Sequence, residues 1–214
     1  MKLLAINGSP REKWNTAQLL EKITQGASQN GAEVELIHLA ELRYNGCISC
    51  FNCKRLKSPS YARCSVKDDL SPVLQKAHEA DVLVLGSPIY FAMESAFTRA
   101  FMERMFFQYN IYTPSAPPLS PPKKASAFVY TMNVSEEYSK NMGFDVVSGT
   151  SKGVMERLFK GPCTVFCSFE TLQYDDYSKY ESERFDGDER KKRHAEIFPK
   201  ELQAAFDLGA QLVA

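Results

Sequence analysis

Lys2-Leu3-Leu4-Ala5-Ile6-Asn7-Gly8-Ser9-Pro10-Arg11-Glu12-Lys13-Trp14-Asn15-Thr16 is the stretch whose reading decides the fold. Lys2 to Ile6 is a short apolar run suited to a buried strand. Thr16 to Ala27 continues as a helix with Leu19, Leu20 and Ile23 on one face. The turn between them feeds free backbone N–H groups and a positive helix end toward one point, where a dianionic phosphate is well placed. Ser9, Asn15 and Thr16 add side-chain donors there, and Arg11 adds charge. The spacing is neither G-x-G-x-x-G nor G-x-x-x-x-G-K-[ST], which disfavours a Rossmann dinucleotide site and a nucleotide triphosphatase. The plain alternative is an ordinary turn in which Asn15 or Thr16 only caps the helix.

Outward from this turn, strands and helices alternate. Glu33 to Leu39 reads as a second strand, and Asp68-Asp69 offers an N-cap for a helix through Ala80. Val82 to Leu85 is a continuous apolar run for a central parallel strand. Ser95 can cap a helix to Phe107. Ala125 to Thr131 and Thr164 to Leu172 supply two more strands, with a helix from Gly153 to Lys160 between them and another from Phe198 to Leu212. Right-handed β-α-β crossovers imply an α/β parallel sheet with helices on both faces, and five strands suit a flavodoxin-like three-layer fold of order 2-1-3-4-5, an order that propensity alone does not prove. Residues 1–214 read as one domain with elaborated loops at 47–67, 108–124, 132–150 and 173–197. Thr113 to Pro122, with five prolines among ten residues, reads as a stiff loop.

In a sheet of that order the switch point lies between strands 1 and 3, and ligands sit at the carboxyl ends there. Strand 3 ends in Gly86-Ser87-Pro88-Ile89-Tyr90-Phe91. A phosphate cradle on one loop and an aromatic wall on the next suit a molecule with a phosphate tail and a flat ring, such as flavin mononucleotide (FMN). The bland reading of Tyr90 and Phe91 is as core aromatics.

These residues resemble the NAD(P)H-dependent FMN reductase branch of the flavodoxin superfamily, which includes the iron–sulfur flavoproteins. The likeness rests on Gly8-Ser9-Pro10-Arg11 with Asn15-Thr16, and on Ser87 to Phe91 followed by Ser95-Ala96 and Arg99 to Arg104. It implies FMN held non-covalently, with Ser9, Arg11, Asn15 and Thr16 on the phosphate and Pro88, Ile89, Tyr90 and Phe91 bordering the ring. Thr131 and Asn133 fall at the flavin's polar edge, although Thr131-Met132-Asn133 lacks the glycines many members carry there. Trp14 and Ala92-Met93 also depart from the usual small residues. The redox chemistry belongs to the flavin, so no acid–base residue is assigned.

Cys47, Cys50, Cys53 and Cys64 form the remaining array. The resemblance implies a [4Fe–4S] cluster, for which soft thiolates suit iron. The ten-residue gap before Cys64 exceeds the compact pattern. Zinc lacks its usual paired arrangement here, a redox pair lacks its thioredoxin setting, and packed or free thiols are the first expectation. Cys163 and Cys167 share one face of a strand and read as core. The run from Glu181 to Arg193 reads as a solvated face, and Tyr174, Tyr177 and Tyr180 carry no assignment.

Twenty-six basic and twenty-six acidic residues cancel, which gives no footprint for nucleic acid or an anionic membrane. No apolar run approaches the roughly 20 residues of a spanning helix, and the apolar start stops too soon for a signal sequence. The expectation is a cytoplasmic homo-oligomer that moves reducing equivalents from NAD(P)H through FMN to a quinone, nitro compound or flavin. The competing reading is an electron carrier, flavodoxin-like or with a cluster, that serves protein partners. A flavin-free module of the same fold is a third.

Overall fold

The computed structural model describes residues 1–113 and 119–214. Residues 114–118 of the proline-rich stretch therefore lie outside the described residues. Five parallel strands form the sheet: β1 (Lys2–Asn7), β2 (Glu33–His38), β3 (Val82–Tyr90), β5 (Ala125–Thr131) and β6 (Cys163–Ser168). Their order is β2-β1-β3-β5-β6, the expected 2-1-3-4-5. A sixth strand went unread: β4 (Met93–Glu94) turns back antiparallel on the end of β3.

Alternation along each strand divides the core in two. Leu4, Ile6, Leu83, Leu85, Phe128 and Tyr130 face α2 (Leu70–Glu79), α3 (Ala96–Tyr109) and α5 (Phe144–Phe159). Leu3, Ala5, Val82, Val84, Ala127 and Val129 face α1 (Asn15–Gln29) and α7 (Phe198–Val213). Ile6 lies opposite Leu85, and Leu85 opposite Phe128. The carboxyl ends of β1, β3 and β5 therefore open at one edge.

Three boundaries differ from the expectation. β6 stops at Ser168 because Glu170 adopts φ 51°. The Glu170 and Thr171 amides then donate to the carbonyls of Val134 and Met132, carrying residues 169–172 across the end of β5. The stretch 132–150, read as a loop, contains α4 (Glu136–Asn141), capped by the Ser135 hydroxyl, and the first two turns of α5. The stretch 173–197 contains α6 (Gly187–Glu196), whose Asp186 cap accepts from the amides of Asp188 and Glu189. By contrast 47–67 holds only a single 3-10 turn at Asn52–Lys54.

Candidate functional site

The turn after β1 is built by close approach. The Gly8 amide donates to the Gly86 carbonyl at 2.8 Å. A Cβ on Gly8 would lie 1.8 Å from Thr98 Oγ1, so only glycine lets β1 end against the start of α3. Asn7 Oδ1 accepts from the Ser9 amide at 3.0 Å, and Ser9 Oγ accepts from the Arg11 amide at 3.1 Å. Thus Ser9 shapes the loop. Downstream, α1 starts at Asn15 with no side-chain cap and no acidic residue in its first turn. Its first amides and the helix's positive end remain available to an anion. Asn15 and Thr16 are buried at that end, and Thr16 Oγ1 meets Thr131 Oγ1 at 2.8 Å, tying α1 to β5.

These groups open into a cavity of about 350 Å3. Ser9, Arg11, Asn15, Thr16, Pro88, Ile89, Tyr90, Thr131 and Asn133 all line it. Phe91 does not. It sits at the tip of the β3–β4 hairpin, 99% exposed, and lines a neighbouring cavity of about 380 Å3. Phe91 and Ala92 have φ 51° and 62°, the left-handed pair that a two-residue hairpin turn demands. Side chains with a Cβ are strained there by about 1–2 kcal/mol each. The base of the hairpin is anchored: the buried Glu94 Oε1 accepts from Tyr130 Oη at 3.1 Å and Ser151 Oγ at 2.7 Å. Arg99 Nη1 lies 3.6 Å from Glu94 Oε2. Burial raises the Tyr130 phenol pKa, and the adjacent Glu94 carboxylate adds to it.

A strap missed in the sequence closes the other side. Trp14 Nε1 and Asn15 Nδ2 donate to the Leu172 carbonyl at 2.9 and 2.8 Å, and Arg11 Nη1 donates to the Gln173 carbonyl at 2.7 Å. The Arg11 guanidinium also lies 4.5 Å from the Trp14 ring. Burial lowers its pKa, while Tyr90, Tyr174 and Tyr177 act in the opposite direction. Tyr174 joins the cavity wall and stacks on Tyr180 at 4.2 Å. Gln173 Oε1 accepts from Asn133 Nδ2 at 2.5 Å. Arg190 is not on a solvated face as expected: it is buried, and its Nε donates to Asn133 Oδ1 at 2.9 Å and its Nη1 to Glu170 Oε1 at 3.1 Å. Asn133 is thereby held from two elements.

Cys47, Cys50, Cys53 and Cys64 come together elsewhere, around a small cavity of about 20 Å3 beside Arg104 and Phe107. Ser49, Phe51 and Ala62 of this loop have φ 54°, 57° and 60°. The Asn52 amide lowers the exposed Cys50 thiol pKa, whereas burial raises that of Cys53. Among the described residues no group of three or more His, Cys, Asp or Glu side chains is arranged to hold a metal ion. Four thiols around one cavity are nonetheless the donor set that a [4Fe–4S] cluster takes. Cys163 is core, as read, and burial pushes Cys167 up to about 11.

The profile of the NADPH-dependent FMN reductase family matches residues 1–134, the part that carries the phosphate turn, the hairpin and Asn133. The chain belongs to that family. The family is one of oxidoreductases whose cofactor is FMN and whose electron donor is a nicotinamide. An iron–sulfur flavoprotein of Methanocaldococcus jannaschii is 38% identical over 104 residues, which cover 49% of this chain and 51% of that protein. The chain spans about half the length of the curated relatives it matches. The NAD(P)H:quinone oxidoreductase from Methanothermobacter marburgensis superposes with TM-score 0.68 at 17% identity, covering 100% of this chain and 98% of that one. A flavodoxin from the Archaea superposes at 0.52 and 15% identity, covering 100% of this chain and 96% of that one. Both likenesses establish the flavodoxin-like fold. The cavity at the ends of β1, β3 and β5 is lined by the uncapped start of α1, by Arg11 and by Tyr90.

Proposed function

We propose that this chain is an NAD(P)H-dependent FMN oxidoreductase that reduces a small organic acceptor such as a quinone, nitro compound or free flavin. One observation carries the reading: the uncapped start of α1, with buried Asn15 and Thr16, shares a cavity with the Pro88–Tyr90 segment. FMN, when bound, would supply the redox chemistry. Arg11, Asn15, Thr16 and the free α1 amides hold its phosphate, with Ser9 shaping the loop. Pro88, Ile89 and Tyr90 back the ring, and Asn133 meets its polar edge with Thr131 beside it. Gln173 and Arg190 are positioning residues that fix Asn133. Over a turnover with a quinone, NAD(P)H and one solvent proton give NAD(P)+ and the hydroquinone. Titrating apoprotein with FMN tests the assignment: flavin fluorescence should change to saturation at one FMN per chain. A signal that never saturates would refute it.

The electron-carrier reading is favoured by the relatives' name and by four cysteines on one cavity. The ten-residue gap before Cys64, longer than the compact cluster pattern, supports free thiols instead. Anaerobically purified protein should carry little iron and sulfide and titrate its thiols freely once denatured. Stoichiometric iron and sulfide would move it to the carrier class. Free thiols at all six cysteines support a reducing, cytoplasmic setting, and among the described residues no helix is long and apolar enough to cross a membrane. Exposed Ile48, Phe51 and Leu56 support a homo-oligomer, and the contacts of α1 with α7 support reading 1–214 as one unit.

A further inference from the structure

The second cavity, of about 380 Å3, adjoins the flavin cavity: Ile89, Tyr90, Met132, Asn133 and Gln173 line both. Its far wall comes from α4, the start of α5 and the segment before α6, with Tyr138, Met142, Phe144 and Phe185. Phe91 and Ala92, on the hairpin tip, form the near wall. Such a lining accepts a flat apolar ring, since aromatic faces and edges stack at low ordering cost. No Asp or Glu lies among the described lining residues, and the only charged one is Arg184. Its guanidinium stands over the Tyr138 ring at 4.9 Å and lies 5.7 Å from the Phe185 ring. Among the described residues it forms no ion pair or hydrogen bond, so the planar fork keeps its donors for a ligand.

We propose that this cavity is the acceptor subsite and that it selects flat aromatic acceptors bearing an anionic substituent, such as a sulfonate or carboxylate, which Arg184 binds. The proposal rests on the FMN reading, because the shared wall is what brings an acceptor to the flavin. Arg184 is a specificity-determining residue that lines only this cavity, whereas Arg11 lines only the other. Its two aromatic supports hold the charge at the mouth while the ring of the acceptor enters between Phe91 and Phe185. A neutral quinone uses the same aromatic walls without the ionic contact.

The test compares FMN-loaded wild type with Arg184→Gln and Arg184→Lys, using a neutral naphthoquinone and its ring-sulfonated counterpart at low ionic strength and saturating NADPH. In Arg184→Gln the ratio of kcat/KM for sulfonated over neutral quinone should fall about tenfold, the size of one partly solvated charge-assisted hydrogen bond. The fall should sit in KM, and Arg184→Lys should recover part of it. Equal losses for both quinones would overturn the proposal. So would a loss confined to NADPH relative to NADH, which would assign Arg184 to the nicotinamide's phosphate, or a loss confined to FMN affinity. The flavin spectrum taken before acceptor is added separates the two levels: a protein without flavin fails the FMN reading itself, and this subsite with it.

Discussion

Replacing Arg11 by alanine removes the one guanidinium on the phosphate turn while leaving the α1 amides, Asn15 and Thr16 in place. Two terms change. A charge-assisted bond to the FMN phosphate is lost, about 1.5–2 kcal/mol at this partly exposed position. The 2.7 Å bond to the Gln173 carbonyl and the stacking on Trp14 are lost as well. That bond, from a charged donor to a neutral carbonyl at an exposed position, contributes about 1.5 kcal/mol to holding the strap. The strap term acts on any flavin, whereas the phosphate term acts only on FMN. Riboflavin affinity should therefore fall at most about tenfold, and FMN affinity roughly 10- to 30-fold beyond that, by the conversion of 1.4 kcal/mol per decade. Fluorescence titration of both flavins with wild type and Arg11→Ala measures the difference directly. Equal losses for FMN and riboflavin would refute the assignment of the turn to phosphate and leave Arg11 as a strap residue.

Two further substitutions test the frame around the site. Gly8→Ala drives a Cβ to 1.8 Å from the buried Thr98 Oγ1 and should destabilise by about 1–3 kcal/mol, each kcal/mol lowering Tm by roughly 2–4 °C. Gly8→Ala/Thr98→Ala should recover part of that loss in thermal unfolding, and a double variant no more stable than Gly8→Ala would show that the clash lies elsewhere. Lys123 is buried, bonds to the carbonyls of His78 and Ala80, and burial pushes its ammonium down to about 8. Between pH 8 and about 10.4 the unfolded chain keeps a proton that the folded chain has shed, so this group makes stability rise with pH. Urea unfolding should show wild type gaining on Lys123→Met from pH 7 to 9.5, by up to about 2 kcal/mol at 1.36 kcal/mol per pKa unit. A difference independent of pH would mean that Lys123 titrates as it does in water.

The central strands were legible because parallel strands buried on both faces leave unbroken apolar runs such as Val82 to Leu85. The turn after β1 was legible because its polar residues are contiguous in the chain, from Ser9 to Thr16. The strap was not. Trp14, Asn15 and Arg11 all bond to backbone carbonyls of Leu172 and Gln173, and every residue type has that acceptor, so residue identity carries no signal. Arg190 was hidden in a charge run without the apolar stripe that marks a packed helix face. Gly149 and Gly153 obscured α5, since glycine weakens a helix by about 1 kcal/mol and yet is tolerated when the other face is packed. Phe91 stands apart from the other residues of its loop for a local reason: the left-handed turn at Phe91 and Ala92 puts it at the hairpin tip, against the adjoining cavity.

Anaerobic titration of the FMN-loaded protein with nicotinamide, followed by quinone, tests the oxidoreductase assignment most directly. Stoichiometric NADPH or NADH should bleach the oxidised-flavin absorbance, and stoichiometric quinone should restore it. Flavin that dithionite reduces but neither nicotinamide touches would contradict the assignment and leave an electron carrier in its place.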